Sequence, residues 1–401
     1  MELNLQFGHG MIEHSCSLIR DWMGGTVILS PRDLNEKQLV RLSTALRNIP
    51  LGKVLLDPQL YLPRAGHERL RSHAYWPSDY ATGTFWSGPG LRHLITELRQ
   101  LNQRLETDAF IAPGILADAV DSDWIDIQKL ILDETTSQVG GSRVIATVAL
   151  SAESTRSEDQ IAQVIETAST WKTDGFYVVA EHPGGSYLVT DPLWLANVLD
   201  LAAGLKLLNK TVLMGYCHHQ MLITATTKIS AIASGTWMNV RSFPPDKFRH
   251  VYDDEFKTRR TWYYCPQALS EYTVPYLDIA ETVGLLHLLQ PDTDMDMSYV
   301  EELFNGVKPS TVGFSEQAAF RHYLRCLNEQ VSRASKNTFD ATVDHHEQTL
   351  ERAESLLREL RSQGVRGQLR DFSDSIDANR AALAVLRSTR GALLRRRWAS
   401  L

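Results

Sequence analysis

The sequence predicts a (β/α)8 TIM barrel followed by an α-helical C-terminal region. Three observations carry that expectation. Strand-like runs alternate with helical segments eight times over residues 1–245, the size of such a barrel. The runs are continuously apolar, as a parallel sheet covered on both faces requires. Beyond residue 243 the alternation stops, and from about residue 315 long amphipathic stretches take over.

The elements follow in order. "LNLQFGHG" is a strand closed by Gly-His-Gly, and "MIEHSCSLIRDWMGG" a helix with a glycine pair at its end. "TVILSPRDL" is the second strand, and "NEKQLVRLSTALRNIP" a helix stopped by Pro50. "KVLLDPQ" is the third strand. Its return is long, with the aromatic loop "HAYWPSDYATGTFWSGPG" before the helix "LRHLITELRQLNQRLE". "DAFIAPG", "RVIATVALS", "GFYVVAEHPGG" and "TVLMGYCHH" are strands four to seven. Between them lie the helices "DSDWIDIQKLILDETTSQ", "SEDQIAQVIETASTWKT" and "DPLWLANVLDLAAGLKLLN", the last with Pro192 suited to its first turn. "QMLITATTKISAIAS" reads as the next helix and "GTWMNVRSF" as the eighth strand.

Three regions result: the barrel over 1–245, an irregular aromatic-rich insertion or connector over 246–314, and a helical region over 315–401. Composition is that of a globular protein, 43% hydrophobic and 22% charged. A net charge of −7 excludes a wholesale electrostatic nucleic-acid binder. No apolar run reaches the ~18 residues of a membrane span, and the first residues lack a signal-peptide layout. Cys16, Cys217, Cys265 and Cys326 are scattered, which points to reduced thiols and a cytoplasmic setting. The apolar stripe of Leu350, Leu356, Leu357 and Leu360 exceeds what a solvated helix needs. It should pack on the barrel or on another chain, as a protein partner or homo-oligomer contact.

In a barrel the chemistry sits at the C-terminal strand ends. Those ends offer His9; Ser30, Arg32 and Asp33; Asp57 and Gln59; Ser151 and Glu153; Glu181 and His182; Tyr216, Cys217, His218 and His219; and Asn239 and Arg241. Asp57, Glu181 and His182 are the candidate catalytic residues. His9, Arg32, Gln59, Glu153, Tyr216, His218 and Arg241 are the candidate substrate-binding residues. Each has a plainer reading. Asp57 before Pro58 opens a turn, and Glu181-His182 precedes Pro-Gly-Gly. Consecutive His218 and His219 on a strand point to opposite faces and do not share an ion, so no metal is assigned. His345-His346 reads as helix surface. Tyr75, Trp76, Tyr80, Phe85 and Trp86 could stack on a base or form the private core of their loop.

The order of elements resembles the tRNA-guanine transglycosylases over residues 1–245. "TVLMGYCHHQMLITATTKISAIASGTWMNVRSF" is similar to that family's last two barrel strands, with a "YLMGVG"-like strand, a helix, and a strand ending near an arginine. "RVIATVALS" and "GFYVVAEHPGG" are similar to its fifth and sixth strands. "VLLDPQLY" sits where its third strand ends in an Asp-Ser-Gly-Gly-Phe-Gln turn. The resemblance implies exchange of a nucleic-acid guanine for a 7-deazaguanine base, with Asp57 at the acid/base position. It also exposes departures. The Gly-Gly after the aspartate is absent. No carboxylate stands at 233–236, where the nucleophile belongs, or at 112–114, where the guanine edge is read. The zinc run of the family is missing, with only Cys265 in its region, so no cofactor is expected.

Three functions follow. The first is a transglycosylase-like protein that binds or processes a 7-deazaguanine-type base, nucleoside or conjugate, with a purine-like small molecule or nucleic acid as partner. The resemblance places it in a bacterial anti-phage gene cluster. The second is a catalytically degenerate barrel acting as a binding or assembly partner, because covalent exchange cannot run without a nucleophile. The third is a glycoside or N-glycoside hydrolase using Glu153 and Glu181. Carboxyls about 5–5.5 Å apart would imply retention and about 6.5–9.5 Å inversion.

Overall fold

Short, mostly apolar runs rich in Val, Ile, Leu and Ala form the nine strands of the main sheet among the described residues. The computed structural model describes residues 1–77, 85–249 and 260–401. In it the strands are β1 (Glu2–Gln6), β2 (Gly25–Leu29), β3 (Gly52–Leu56), β4 (Phe110–Ile111), β5 (Leu116–Ala117), β6 (Val144–Leu150), β7 (Gly175–Ala180), β8 (Thr211–Met214) and β9 (Ala231–Ser234). Every pairing is parallel, in the order β3-β2-β1-β9-β8-β7-β6-β4, with β5 also on β6.

The sheet is curled. Asp57, just past β3, lies five strands from β7 in that order, yet the Tyr177 hydroxyl on β7 is 3.3 Å from its carboxylate. The two end strands meet through three bonds. Asp108 N–H donates to Val54 O at 2.9 Å, Val54 N–H donates to the Asp108 carboxylate at 2.7 Å, and Leu116 N–H donates to Tyr61 O at 2.9 Å. No β-ladder joins β3 to β4 among the described residues. The architecture is α/β with a curled parallel sheet and a helical C-terminal region.

The outer helices begin where the sequence marks them. Asn35 and Gln38 form a reciprocal capping box at the helix Glu36–Arg47. Asp121 caps Ser122–Gln138, and Asp191 caps Pro192–Leu207 with Pro192 in its first turn. Both faces of the sheet are therefore covered, and strands such as β6 are buried at every residue.

One expectation fails locally. The helix expected over 220–234 is a 3-10 stretch, His219–Thr227, closed by Lys228 in the left-handed region at φ 62°. The eighth main strand is Ala231–Ser234, and the "GTWMNVRSF" stretch is instead a turn containing the 3-10 segment Met238–Val240. The cause lies in β1. Four residues of β9 pair with Glu2–Leu5, and at Gly235 a Cβ would lie 2.5 Å from Gln6 O. Only glycine lets the chain leave the strand so close to its neighbour. The fourth expected strand, 108–114, shortens to β4, and β5 forms just beyond it.

Beyond the sheet, the region expected to be irregular carries an antiparallel hairpin, β10 (Trp262–Cys265) and β11 (Ser270–Thr273). Two short helices, Val274–Thr282 and Leu286–Leu289, follow it, and then four more: Glu316–Ala334, Phe339–Ser362, Ile376–Thr389 and Gly391–Arg397. Ile376–Thr389 packs along Pro192–Leu207, and beside that contact Arg390 grips Asp200 with bonds of 2.7 and 2.9 Å. Leu350, Leu357 and Leu360 are buried within the chain and Leu356 is half-buried, so this stripe is already covered. Deleting residues after Phe339 uncovers the apolar face of Pro192–Leu207. The expected result is loss of soluble protein or gain of large aggregates in size-exclusion chromatography. A monodisperse, soluble truncation would contradict this packing account.

No helix among the described residues is long and apolar enough to cross a membrane.

Candidate functional site

Two buried polar clusters occupy the C-terminal ends of the strands. The first centres on Asp57, which is fully buried. Its Oδ1 accepts from Gln59 N–H at 3.0 Å and from the Tyr61 hydroxyl at 2.9 Å. Its Oδ2 lies 2.7 Å from the Tyr216 hydroxyl, 2.8 Å from that of Tyr61 and 3.3 Å from that of Tyr177. Burial pushes the Asp57 carboxyl up, against the pull of the Tyr216 and Tyr61 hydroxyls.

The cluster extends across the strand ends. The Gln59 side-chain amide donates to Ser30 Oγ at 2.9 Å and to the Tyr216 hydroxyl at 3.1 Å. Its carbonyl accepts from Arg32 N–H at 2.9 Å. Ser30 donates to Asp33 at 2.6 Å, and Arg32 pairs with Asp33 at 3.1 Å. Gln59 and Tyr216 both hold left-handed backbone, at φ 54° and 55°. Such a conformation costs a non-glycine residue about 1 kcal/mol or more and survives where surrounding bonds over-determine it. At Gly215 a Cβ would overlap the Tyr177 hydroxyl, so the glycine is what admits that ring.

Residues 243–248 close this cluster from above. Phe243 and Phe248 pack edge-on or tilted against Tyr61 and Tyr216, with ring centroids 4.9 to 6.3 Å apart. Lys247 is buried with its amine 3.9 Å from the centre of the Tyr216 ring and bonded to Asn239 O. Burial, helped by Arg32, drives its pKa well below the usual lysine range. Sequence reasoning missed Lys247. The only signal was its place just past the last strand, in "SFPPDKF".

The second cluster joins the sheet to the hairpin and the tail. Glu271 on β11 is buried and accepts from Arg370 at 2.6 Å, Arg241 at 3.2 Å and the Tyr187 hydroxyl at 2.8 Å. Burial raises the Glu271 carboxyl, and Arg370 and Arg241 more than reverse this, down to about 2. The Arg241 guanidinium lies 3.4 Å over the Tyr323 ring and donates to Gly235 O at 2.9 Å. Beside it run the rings of His182, His218 and His219, with centroids 5.2 and 5.4 Å apart. Burial pushes His182 and His219 down to about 4, and His218 well below the usual range.

The structure thus brings Asp57, Gln59, Tyr216 and Arg32 together. It gathers His182, His218 and Arg241 in the other cluster. His9 is exposed, and its carbonyl accepts from Trp237 Nε1 at 3.1 Å. Glu153 is exposed on the first turn of a short helix, Ala152–Arg156. Glu181 is half-buried, accepts from Ala152 N–H at 3.1 Å and pairs its backbone with Phe243. Glu181 and His182, grouped with Asp57 as candidate catalytic residues, do not join it; the hydroxyls of Tyr61, Tyr177 and Tyr216 surround its carboxylate. His346, expected at the surface, is buried with Nε2 3.1 Å from Ala334 O. Tyr75, Trp76, Phe85 and Trp86 are buried, and Tyr80 lies outside the described residues. Among the described residues no three His, Cys, Asp or Glu side chains converge as a metal-ligand set.

No family model matches the chain, and no curated protein matches it in sequence.

Proposed function

We propose that the chain is a catalytically degenerate (β/α)8 barrel, transglycosylase-like in the order of its elements, that works as a binding and assembly partner and not by turnover. The observation that carries this reading is the crowding of Asp57. A carboxylate has about four lone-pair positions; Gln59 N–H and the hydroxyls of Tyr61 and Tyr216 take three of them, and the Tyr177 hydroxyl, which also reaches Gln6 Oε1 at 3.0 Å, stands 3.3 Å from the fourth. The protein's own groups therefore crowd the positions from which a purine-like ligand would donate an N–H. Phe243, Phe248 and Lys247 then seal the place where a base would lie.

Other features agree. The stretch where a nucleophile would stand is Ala233, Ser234, Gly235 and Thr236. Glu181 is engaged with Ala152 N–H and Glu153 is exposed, which speaks against a carboxylate pair working between them. The Val54–Asp108 and Tyr61–Leu116 bonds support closure of the sheet into a barrel. The tail is fastened to the sheet through Glu271 and Asp200, which suits a scaffold with a fixed helical face.

Asp57→Asn tests this. The substitution keeps the shape but turns one acceptor oxygen into a donor facing hydroxyl donors. A structural hub then loses about 2–4 kcal/mol in urea unfolding, and wild-type protein incorporates no labelled guanine or 7-deazaguanine into tRNA. Base exchange by the wild type would overturn the reading. So would an Asp57→Asn variant with unchanged stability and abolished ligand binding.

A further inference from the structure

A second place in the fold combines unsatisfied polar groups with a cavity. Where the 3-10 stretch after β8 meets the hairpin turn and the tail helices there is a cavity of about 180 Å³. Its walls include Leu222, Leu269, Leu350 and Phe372. Most polar groups around it are engaged. Gln220 exchanges two bonds with Val189, and Gln330 accepts from Tyr264 and donates to Pro266 O. Arg352 is bidentate to Asp292 at 2.7 Å, and Arg333 holds Asp294 at 2.6 Å.

Two lining residues are different. His219 is 1% exposed, and neither of its ring nitrogens makes a well-formed hydrogen bond, although the Leu269 backbone bears on the ring. Gln267 is 9% exposed; its amide nitrogen donates to Leu288 O and Gln290 O, and its Oε1 has no partner. Buried polar atoms without partners are rare and costly; these are closed to water as they stand, so a small side-chain rotation is what turns them toward a partner in the cavity. An apolar cavity of about 150 Å³ takes a benzene ring, so this one has room for slightly more.

We propose that the cavity bordered by His219 and Gln267 binds a neutral, flat heteroaromatic molecule of one or two fused rings that carries a ring N–H and a ring acceptor. The N–H answers Gln267 Oε1, and the imidazole of His219 answers the remaining ring nitrogen. Burial keeps that imidazole neutral, so it offers one donor and one acceptor. Charged ligands are disfavoured because both arginines at the cavity already hold carboxylates. The site lies on the tail side of the fold and does not depend on any role of Asp57.

Benzimidazole and indene, which share a shape but not the nitrogens, are the probes. Binding to the full chain is followed by ligand-observed NMR at pH 7.5. Benzimidazole is expected to bind about tenfold or more tightly than indene, the difference a buried pair of hydrogen bonds makes. His219→Phe should erase most of that preference. Ala334→Leu, on a different wall, should weaken both probes by narrowing the cavity, and it decides the matter if the histidine variant does not fold. Equal binding of the two probes, no saturable binding of either, or an Ala334→Leu variant with unchanged benzimidazole affinity would overturn the proposal.

Discussion

Glu271→Gln is expected to lower the unfolding free energy by about 3–5 kcal/mol, the cost of leaving buried charge without its partner. Glu271 is the shared acceptor of Arg241, Arg370 and Tyr187. Arg241 follows β9, Glu271 lies on β11 and Arg370 comes from the tail, so one carboxylate fastens three segments. Glutamine keeps the volume but presents one neutral oxygen to two guanidiniums. The Arg241 side chain is 3% exposed and Arg370 14%, so water cannot take over the lost contacts. The measurement is the urea midpoint at constant slope. Limited proteolysis should also cut the variant first between hairpin and tail. A change below about 1 kcal/mol, the scale of a surface pair, would show that this ion triad is not what docks the tail.

Acidification to pH 5 is expected to have an effect of similar or larger size. Burial holds His182, His219 and His322 at about 4 and His346 at about 3, with His218 also well below the usual range. Unfolded imidazoles take up protons below about 6.5, and these folded ones do not until about 4. Between those values the unfolded chain binds more protons, so acid favours it. The stability is complete above pH 6.5 and is lost as the pH falls toward 4. Each such histidine contributes about 2 kcal/mol of loss at pH 5. Together they approach the ~5–15 kcal/mol that holds a whole domain. Two of the five lie where sheet, hairpin and tail touch, His219 on Tyr264 and Tyr323 and His322 on Tyr263, and His218 and His182 pack behind His219. Thermal melts from pH 7.5 to 4.5 should therefore fall steeply below pH 6.5. A melting temperature flat between pH 7 and pH 5 would refute the assignment of these rings as neutral.

Short apolar runs bounded by turn residues made β1, β2, β3, β6, β7 and β8 legible in the sequence. Ala231–Ser234 was not, because Ala-Ile-Ala-Ser after an apolar stretch fits either period. What resolves it is pairing with β1, more than 200 residues earlier in the chain. The same limit applies to the site. Asp57, Gln59 and Tyr216 stand out as strand ends, which local pattern shows. That Phe243, Lys247 and Phe248 come down over them is a tertiary fact with no local signal. Glu271 and Arg370 meet across 99 residues, and nothing near either one announces the other. His218 and His219 read in the sequence only as a strand end with no metal assigned; that His219 is buried against Tyr323 and Phe372 of the tail has no local signal.

The hydroxyls that satisfy Asp57 set a schedule for making the protein. Tyr177 and Tyr216 are 120 and 159 residues downstream of the carboxylate they serve. A nascent chain that has exposed β1 to β3 must therefore keep Asp57 hydrated, since burial without donors is costly. The inner face of the sheet stays wet until β8 and Tyr216 have left the ribosome. At ~5–20 residues per second, that is a wait of many seconds with unpaired strand edges. Half of this sheet cannot close early and await the rest. On this account the sheet closes late, after the segment carrying Tyr216 is available.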